Sequence, residues 1–323
     1  MQTATAIAHP NIALVKYWGK SDVDTNLPAV GSVSITLDTL TTTTRVGIAN
    51  DGDRDELILD GSPASEERSW RVRSCLDLIR HRRPGLPPLI VESENSFPTA
   101  AGLASSASGF AALVTAVNAA LDAPLDIDEL AEISRRCSGS SPRSLFGGFV
   151  ELALDGERTR VRPILDRSEW PLEIVIAVTS KTAKKVGSTD GMELTRKTSP
   201  FYEAWVSSSP YDLARARGAI ASRDFEALAK VSEASCLGMH AVAMAARPGL
   251  VYWNGTTVEC LHRVRALREE GAPVFFTIDA GPQLKAICDP AASDLVASVL
   301  AGVPGVIEIV RCGLGGGARV VGD

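Results

Sequence analysis

The stretch Pro98-Thr99-Ala100-Ala101-Gly102-Leu103-Ala104-Ser105-Ser106-Ala107-Ser108 combines a glycine turn, small side chains and paired hydroxyls. It opens an alanine-rich segment whose apolar residues recur at helical spacing over 105–121. A helix starting there presents unpaired backbone N–H groups and the positive end of its dipole, and both favour an anion. Small neighbours let phosphate oxygens approach, and a serine hydroxyl can reach a phosphate or the magnesium it carries. The same composition also suits an ordinary serine-capped helix packed on a sheet. No GxxxxGK[ST] occurs, and the C-terminal run Gly313-Leu314-Gly315-Gly316-Gly317 lacks the setting of strand, glycine turn and long helix. P-loop and dinucleotide-binding folds are therefore disfavoured.

Working outward, strand patterns at 4–7, 32–37, 41–48, 56–59 and 89–92 make the first hundred residues mostly β, with Asn50, Asp51 and Gly52 as a turn. Toward the C-terminus come a helix over 127–137, a Ser/Gly-rich loop, and strands over 148–154 and 172–178. A Lys/Ser/Thr-rich loop follows Ser180, then helical patterns over 200–205, 211–222, 225–246 and 256–269 and short strands at 274–278 and 306–311. The class is α+β, with two lobes expected, 1–180 and 181–323.

The 323 residues are 45% apolar and 22% charged, enough to bury a sizeable core, and the formal charge is −6. A net-negative surface does not attract nucleic acid or an anionic membrane. No stretch approaches the roughly 20 apolar residues that span a bilayer, and no leader-like start is present; a cytoplasmic protein is expected. Six cysteines lie far apart without a CxxC pair or metal-ligand spacing, which reads as buried free thiols.

Three further clusters carry polar chemistry. Asn11-Ile12-Ala13-Leu14-Val15-Lys16-Tyr17-Trp18-Gly19-Lys20 sets two ammonium groups, a phenol and an amide beside an apolar strand, donors suited to anionic oxygens. Ser138-Gly139-Ser140-Ser141-Pro142-Arg143-Ser144-Leu145-Phe146-Gly147-Gly148 offers hydroxyls and one guanidinium able to grip a carboxylate or phosphate bidentately. Phe275-Phe276-Thr277-Ile278-Asp279-Ala280-Gly281-Pro282 places a lone carboxylate at a strand end. Each also has a plain structural reading: snorkelling lysines, a surface turn and an Asx turn respectively.

PTAAGLASSAS resembles the central PxxxGLxSSA motif of GHMP kinases, and Glu94-Asn95-Ser96-Phe97 before it extends the likeness toward the diphosphomevalonate decarboxylases. NIALVKYWGK resembles that family's N-terminal signature, SGSSPRSLFGG its SGSxCRSxxGG segment, VGSTDGMELT its SST-type loop and FTIDAGP its FDAGP segment. The match runs from about Thr5 to Pro282 in the family's order. It departs at Pro142, where a cysteine is usual; proline removes a backbone donor and fixes φ. The glycine run 313–317 fits either the superfamily's third segment or a simple tight turn.

The resemblance implies a GHMP kinase fold, with a ribosomal-S5-like N-terminal lobe, a ferredoxin-like C-terminal lobe, the site between them, and a homodimer. It implies ATP and Mg2+, with Gly102, Leu103, Ala104, Ser105 and Ser106 on the phosphates and Ser106 on the metal. Ser93, Asn95 and the helix over 70–83 are adenine candidates. The implied substrate is mevalonate 5-diphosphate, held by Asn11, Tyr17, Lys20, Ser138, Ser140, Arg143, Ser188 and Thr189, with Asp190 tempering the field. Lys16, Arg143 and Asp279 carry the chemistry, Asp279 facing the C3 hydroxyl. Relatives that act on the monophosphate, that stop after 3-phosphorylation, or that only bind ATP remain alternatives at this point.

Overall fold

Alternation of buried and half-buried residues defines the first strand, where Ala4, Ala6 and Ala8 turn inward. The computed structural model describes residues 2–49, 54–97 and 105–322. The chain begins β1 (Ala4–Ala8), β2 (Asn11–Val15), β3 (Lys20–Asp22), β4 (Leu27–Pro28), β5 (Ser32–Thr36), β6 (Thr42–Ile48), β7 (Glu56–Leu59) and β8 (Ser62–Pro63). Then follow α1 (Glu66–Arg82), β9 (Leu89–Asn95), α2 (Ser105–Ala120), α3 (Ile127–Cys137), a short 3-10 helix Ser141–Leu145, β10 (Phe149–Asp155) and β11 (Arg158–Leu165). The second half comprises β12 (Glu173–Val178), α4 (Ser188–Thr198), α5 (Tyr202–Ser222), α6 (Phe225–Met244) and α7 (Gly255–Glu269). It closes with β13 (Val274–Ile278), β14 (Leu284–Cys288), α8 (Ser293–Ala301), β15 (Glu308–Gly313) and β16 (Arg319–Val321).

Three larger sheets result, ordered β16-β1-β6-β9-β7-β8, β11-β10-β5-β2 and β13-β14-β12-β15. The all-round apolar α2 shares one core with β1, β6 and β9 and with Val150 and Leu152 of β10. A second core joins β2 and β5 to β12, α5 and α6, so the two halves of the chain share buried surface. The last strand returns to the first sheet, with Thr5 opposite Val321.

Most expected elements form within a residue or two of their patterns; the α+β class holds. Three differ. The separate helices at 200–205 and 211–222 are one helix, α5, running through Pro210. Its buried Trp205, Ser209, Leu213, Ala216 and Ile220 keep one face against the core, which outweighs the local cost of the proline. Ser188 and Thr189, read as loop, open helix α4 behind Gly187. The Ser/Gly loop contains a 3-10 helix with Pro142 in its first turn, where its missing N–H has no intrahelical partner to lose. The expected turn at Asn50, Asp51 and Gly52 lies outside the described residues. The glycine run near the C-terminus packs on the loop before β10: Gly148 N donates to Gly315 O (3.0 Å) and Gly315 N to Thr36 O (2.7 Å). A Cβ on Gly315 would fall 1.8 Å from the Leu37 carbonyl oxygen, so backbone contact explains that residue.

Candidate active site

Alternation on two neighbouring strands builds the floor of a cleft. On β5, Val33 and Ile35 face the core while Ser32 and Ser34 face the other way; on β2, Ile12 and Leu14 face the core and Asn11 the cleft. Arg143, from the 3-10 helix, lies across this polar face with 1% exposure. Its Nε donates to Ser34 Oγ (3.1 Å) and Asn11 Oδ1 (3.3 Å), and its Nη1 to Ser32 Oγ (2.5 Å). Asn11 Nδ2 in turn donates to Ser144 Oγ (2.8 Å) and Ser140 O (3.0 Å). Burial lowers the Arg143 pKa to about 10, against the pull of Tyr17 and Asp279, so it stays charged at neutral pH.

Just past β2, Lys16 is fixed by its backbone N–H to Ser235 Oγ of α6 (2.9 Å) and donates from Nζ to Ala13 O (2.9 Å) and Asp279 Oδ1 (2.6 Å). Lys285 of β14 approaches the other oxygen, Nζ to Oδ2 at 3.1 Å. Two ammonium groups 1% exposed thus grip one carboxylate that is 28% exposed to the cleft. Burial pushes the Asp279 carboxyl up, but the charges and hydrogen bonds of Lys16 and Lys285 together outweigh it and hold it well below the usual carboxylate range.

The cleft is about 500 Å³ and is lined by Lys16, Lys20, Arg71, Arg143 and Lys184, with Asp279 as its carboxylate. Lys184 Nζ donates to Ser188 Oγ (2.7 Å) and Ala280 O (3.2 Å), and Lys20 Nζ lies 3.5 Å from Thr189 Oγ1. Burial lowers the pKa of both lysines, most directly offset by Glu193 for Lys20 and by Asp279 for Lys184. Tyr17 packs against Gly139, and its buried hydroxyl has no hydrogen-bond partner among the described residues. Burial raises its pKa, so the phenol stays a neutral donor on the cleft wall.

A second cavity of about 160 Å³ lies beyond Ser105, Ser106 and Arg71, which line both spaces. Its walls are Leu57, Leu59, Val72, Val91 and Phe110, and its polar rim includes Thr44 with Ser93 (2.9 Å) and Thr42 with Asn95 (2.7 Å). An apolar slot with a hydroxyl and amide edge suits a flat heteroaromatic base. Ser106 Oγ lies 3.4 Å from Ser138 Oγ, which lies 3.4 Å from Ser140 Oγ, so hydroxyls run from α2 into the main cleft.

Asn11, Lys16, Tyr17, Lys20, Ser105 and Ser106 therefore line the main cleft, as do Ser138, Ser140, Arg143, Ser188, Thr189 and Asp279. Ser93 and Asn95 line the second cavity, together with Arg71 and Val72 of the expected 70–83 helix. Gly102, Leu103 and Ala104 lie outside the described residues. Asp190 follows the cleft residues Ser188 and Thr189 in the first turn of α4. Sequence reading missed Ser32, Ser34, Lys184 and Lys285, and it placed Arg71 only within the helix toward the base, not on the main cleft. A lysine inside the apolar strand LKAIC and the lysine-rich SKTAKKV before α4 were the available signals.

Comparison with known proteins accords with this architecture. Residues 8–160 match the diphosphomevalonate decarboxylase-like N-terminal domain, and residues 174–304 the mevalonate 5-diphosphate decarboxylase C-terminal domain. Diphosphomevalonate decarboxylase of Candida albicans is 37% identical over 319 residues, covering 93% of this chain and 88% of that protein. The structure of mevalonate diphosphate decarboxylase from Staphylococcus aureus superposes with a TM-score of 0.93 at 34% identity, over 99% of this chain and 98% of that one. That of MDDEF in complex with MVAPP, AMPPCP and magnesium gives 0.91 at 35% identity, over 99% of each chain. The fold is the expected GHMP kinase fold. With both halves matched in order and more than a third of positions shared, the chain belongs to the diphosphomevalonate decarboxylase family.

Proposed function

We propose that this chain uses ATP to convert mevalonate 5-diphosphate into isopentenyl diphosphate, ADP, phosphate and CO2, by way of 3-phosphorylation. The observation that carries this reading is Asp279, the one carboxylate among the described residues of the cleft, held ionised by two lysines amid cations and beside a base-sized cavity. The family's solved structures include one with MVAPP, AMPPCP and magnesium bound.

In this assignment Tyr17, Lys20, Ser138, Ser140, Ser188 and Thr189 hold the substrate's phosphates, and Arg143 with Asn11 its carboxylate. Lys16 donates from Nζ to Ala13 O and Asp279 and lines the cleft, so its ammonium group can exchange the Asp279 contact for one to the substrate. Asp279 accepts a hydrogen bond from the C3 hydroxyl and so aims the lone pair of that oxygen, the nucleophile, at the terminal phosphorus of ATP. A carboxylate held so far below its usual range is a weak base, so its main part is orientation. The terminal phosphoryl group of ATP passes to the C3 oxygen as its bond to ADP breaks, the hydroxyl proton passes to a phosphate oxygen, and the phosphorylated C3 oxygen becomes a good leaving group. As that C–O bond breaks, electrons from the carboxylate's C–C bond form the new double bond and CO2 departs. The Asp279 anion offsets positive charge developing at C3.

Ser93 and Asn95 are assigned to the base, and Gly102, Leu103, Ala104, Ser105 and Ser106 to the phosphates. Among the described residues no group of three His, Cys, Asp or Glu could cage a metal ion. Hydroxyls alone fit magnesium, a hard ion that keeps several waters and arrives on nucleotide phosphates, and Ser106 is its protein donor. When bound, the ion neutralises phosphate charge.

The lobes 1–180 and 181–323, the latter sending β16 back to the sheet of the former, a homodimer and a cytoplasmic location complete the proposal. Among the described residues no helix is long and apolar enough to cross a membrane, and all six cysteines are free, as suits a reducing compartment. The deciding experiment is mass spectrometry of products from mevalonate 5-diphosphate, ATP and magnesium, with ADP and CO2 followed in parallel. Isopentenyl diphosphate with matched ADP and CO2 is expected. A 3-phosphorylated product without CO2 would make it a kinase. Equal or better use of the monophosphate would replace the substrate, and ATP binding without turnover would leave a non-catalytic homologue.

A further inference from the structure

Lys285 does not line the cleft and is 1% exposed, on a strand whose other residues, Leu284, Ala286, Ile287 and Cys288, are all buried. An ammonium group in such a place costs stability unless it is paired, and methionine would fill a similar slot without that cost. Register explains where it points. Lys285 pairs with Thr277 of β13, so the two side chains share a face of the sheet. Thr277 Oγ1 donates to Ala13 O (3.1 Å), the same carbonyl that receives Lys16 Nζ. Two residues past Thr277, Asp279 meets Lys16 on Oδ1 and Lys285 on Oδ2.

The lysines are not equivalent. Both are 1% exposed, but Lys16 lines the cleft that an incoming anion would occupy, whereas Lys285 sits behind the carboxylate and does not line it. We propose that Lys285 is a positioning residue: it stays on Asp279 Oδ2 as the fixed counter-charge while Lys16 turns to the substrate, leaving Oδ1 ionised and free for the hydroxyl. This rests on the function proposed above. A substrate with a carboxylate and phosphates brings like charge beside Asp279, which favours proton uptake by that carboxylate. Lys184 also faces it, as do Arg143 from the 3-10 helix and, from α6, Cys236 and His240, the latter two buried and neutral. Among the described residues, Lys16 and Lys285 are the two cations whose Nζ touches an Asp279 oxygen.

The test is Lys285→Met, with Lys285→Arg as the charge-restoring partner and thermal unfolding as the fold check. Lys285→Met should lower kcat by about ten-fold or more with KM for both substrates within about three-fold. Its acid limb of the kcat profile should move up by about one pH unit or more. Lys285→Arg should recover part of kcat and return the limb toward wild type. A kcat within about two-fold of wild type with the limb in place would overturn the proposal; so would equal losses in both variants with the limb unmoved, which is a packing defect. If Lys285→Met does not fold, Lys285→Gln carries the same expectations. In parallel, the 13C-carboxyl resonance of Asp279, identified by its loss in Asp279→Asn, is titrated in wild type and variant without substrate. A higher midpoint in the variant supports the pairing and an unchanged one overturns it. If wild-type enzyme shows no turnover of mevalonate 5-diphosphate, the assigned function fails, and this titration still decides the role of Lys285.

Discussion

Asp279 and His240 report on the site in different pH windows. Asp279→Asn keeps the shape and removes the charge, so turnover should fall by about 100-fold or more with a smaller rise in KM; near-normal kcat would remove Asp279 from the mechanism. His240 lies behind the carboxylate on α6, its Nε2 3.1 Å from the Ile278 carbonyl oxygen and its ring 4.6 Å from that of Trp253. Burial lowers its pKa to about 4, so the folded protein keeps it neutral. The unfolded chain takes up that proton near pH 6.5. Between those values the unfolded state binds more protons, and stability falls as pH drops from about 6.5 to 4, by about 3 kcal/mol in all. Urea midpoints at pH 7.5 and 5 should show this, and His240→Gln should flatten the difference; an identical pH dependence in the variant would refute it. Asp279 is depressed, so its contribution is present above its unfolded value of about 3.9 and is lost only below it.

Loops and helix ends, rather than helix interiors, set the site's shape at the scale of the element. The capping box of Asp126 and Glu129 starts α3, and α3 ends at Ser138, delivering Gly139 and Ser140 into the cleft. Gly139 leaves room for Tyr17: an added Cβ would lie 2.4 Å from the hydroxyl and 2.6 Å from the ring carbon that bears it. Gly139→Ala should therefore displace Tyr17, raising KM for the phosphorylated substrate several-fold and lowering stability by about 1–3 kcal/mol. Steady-state kinetics and denaturant melts check both; an unchanged KM would mean that Tyr17 does not touch the substrate. The sequence marked this loop by its hydroxyls and arginine, but its contact with Tyr17 joins parts of the chain more than a hundred residues apart.

Across the whole molecule, a formal charge of −6 coexists with a cleft lined by Lys16, Lys20, Arg71, Arg143 and Lys184. Local cations focused between low-dielectric walls draw in an anionic substrate despite the net charge. Raising ionic strength from about 0.05 to 0.5 M should raise KM for mevalonate 5-diphosphate by about three-fold or more while kcat moves less; a KM flat across that range would argue against electrostatic capture. The sequence by itself determined strands such as β1 and β6, whose alternation fixes their buried faces, but not β11, β14 or β16. It also marked NIALVKYWGK, SGSSPRSLFGG and FTIDAGP, because each holds its polar groups within one short local segment. Only the tertiary structure decided that α5 continues through Pro210, since packing of a whole helix face outweighs one lost hydrogen bond. It alone brought Lys285 and Lys184 to Asp279, because sheet register and chain crossing place them there, and neither is written in the spacing of neighbouring residues.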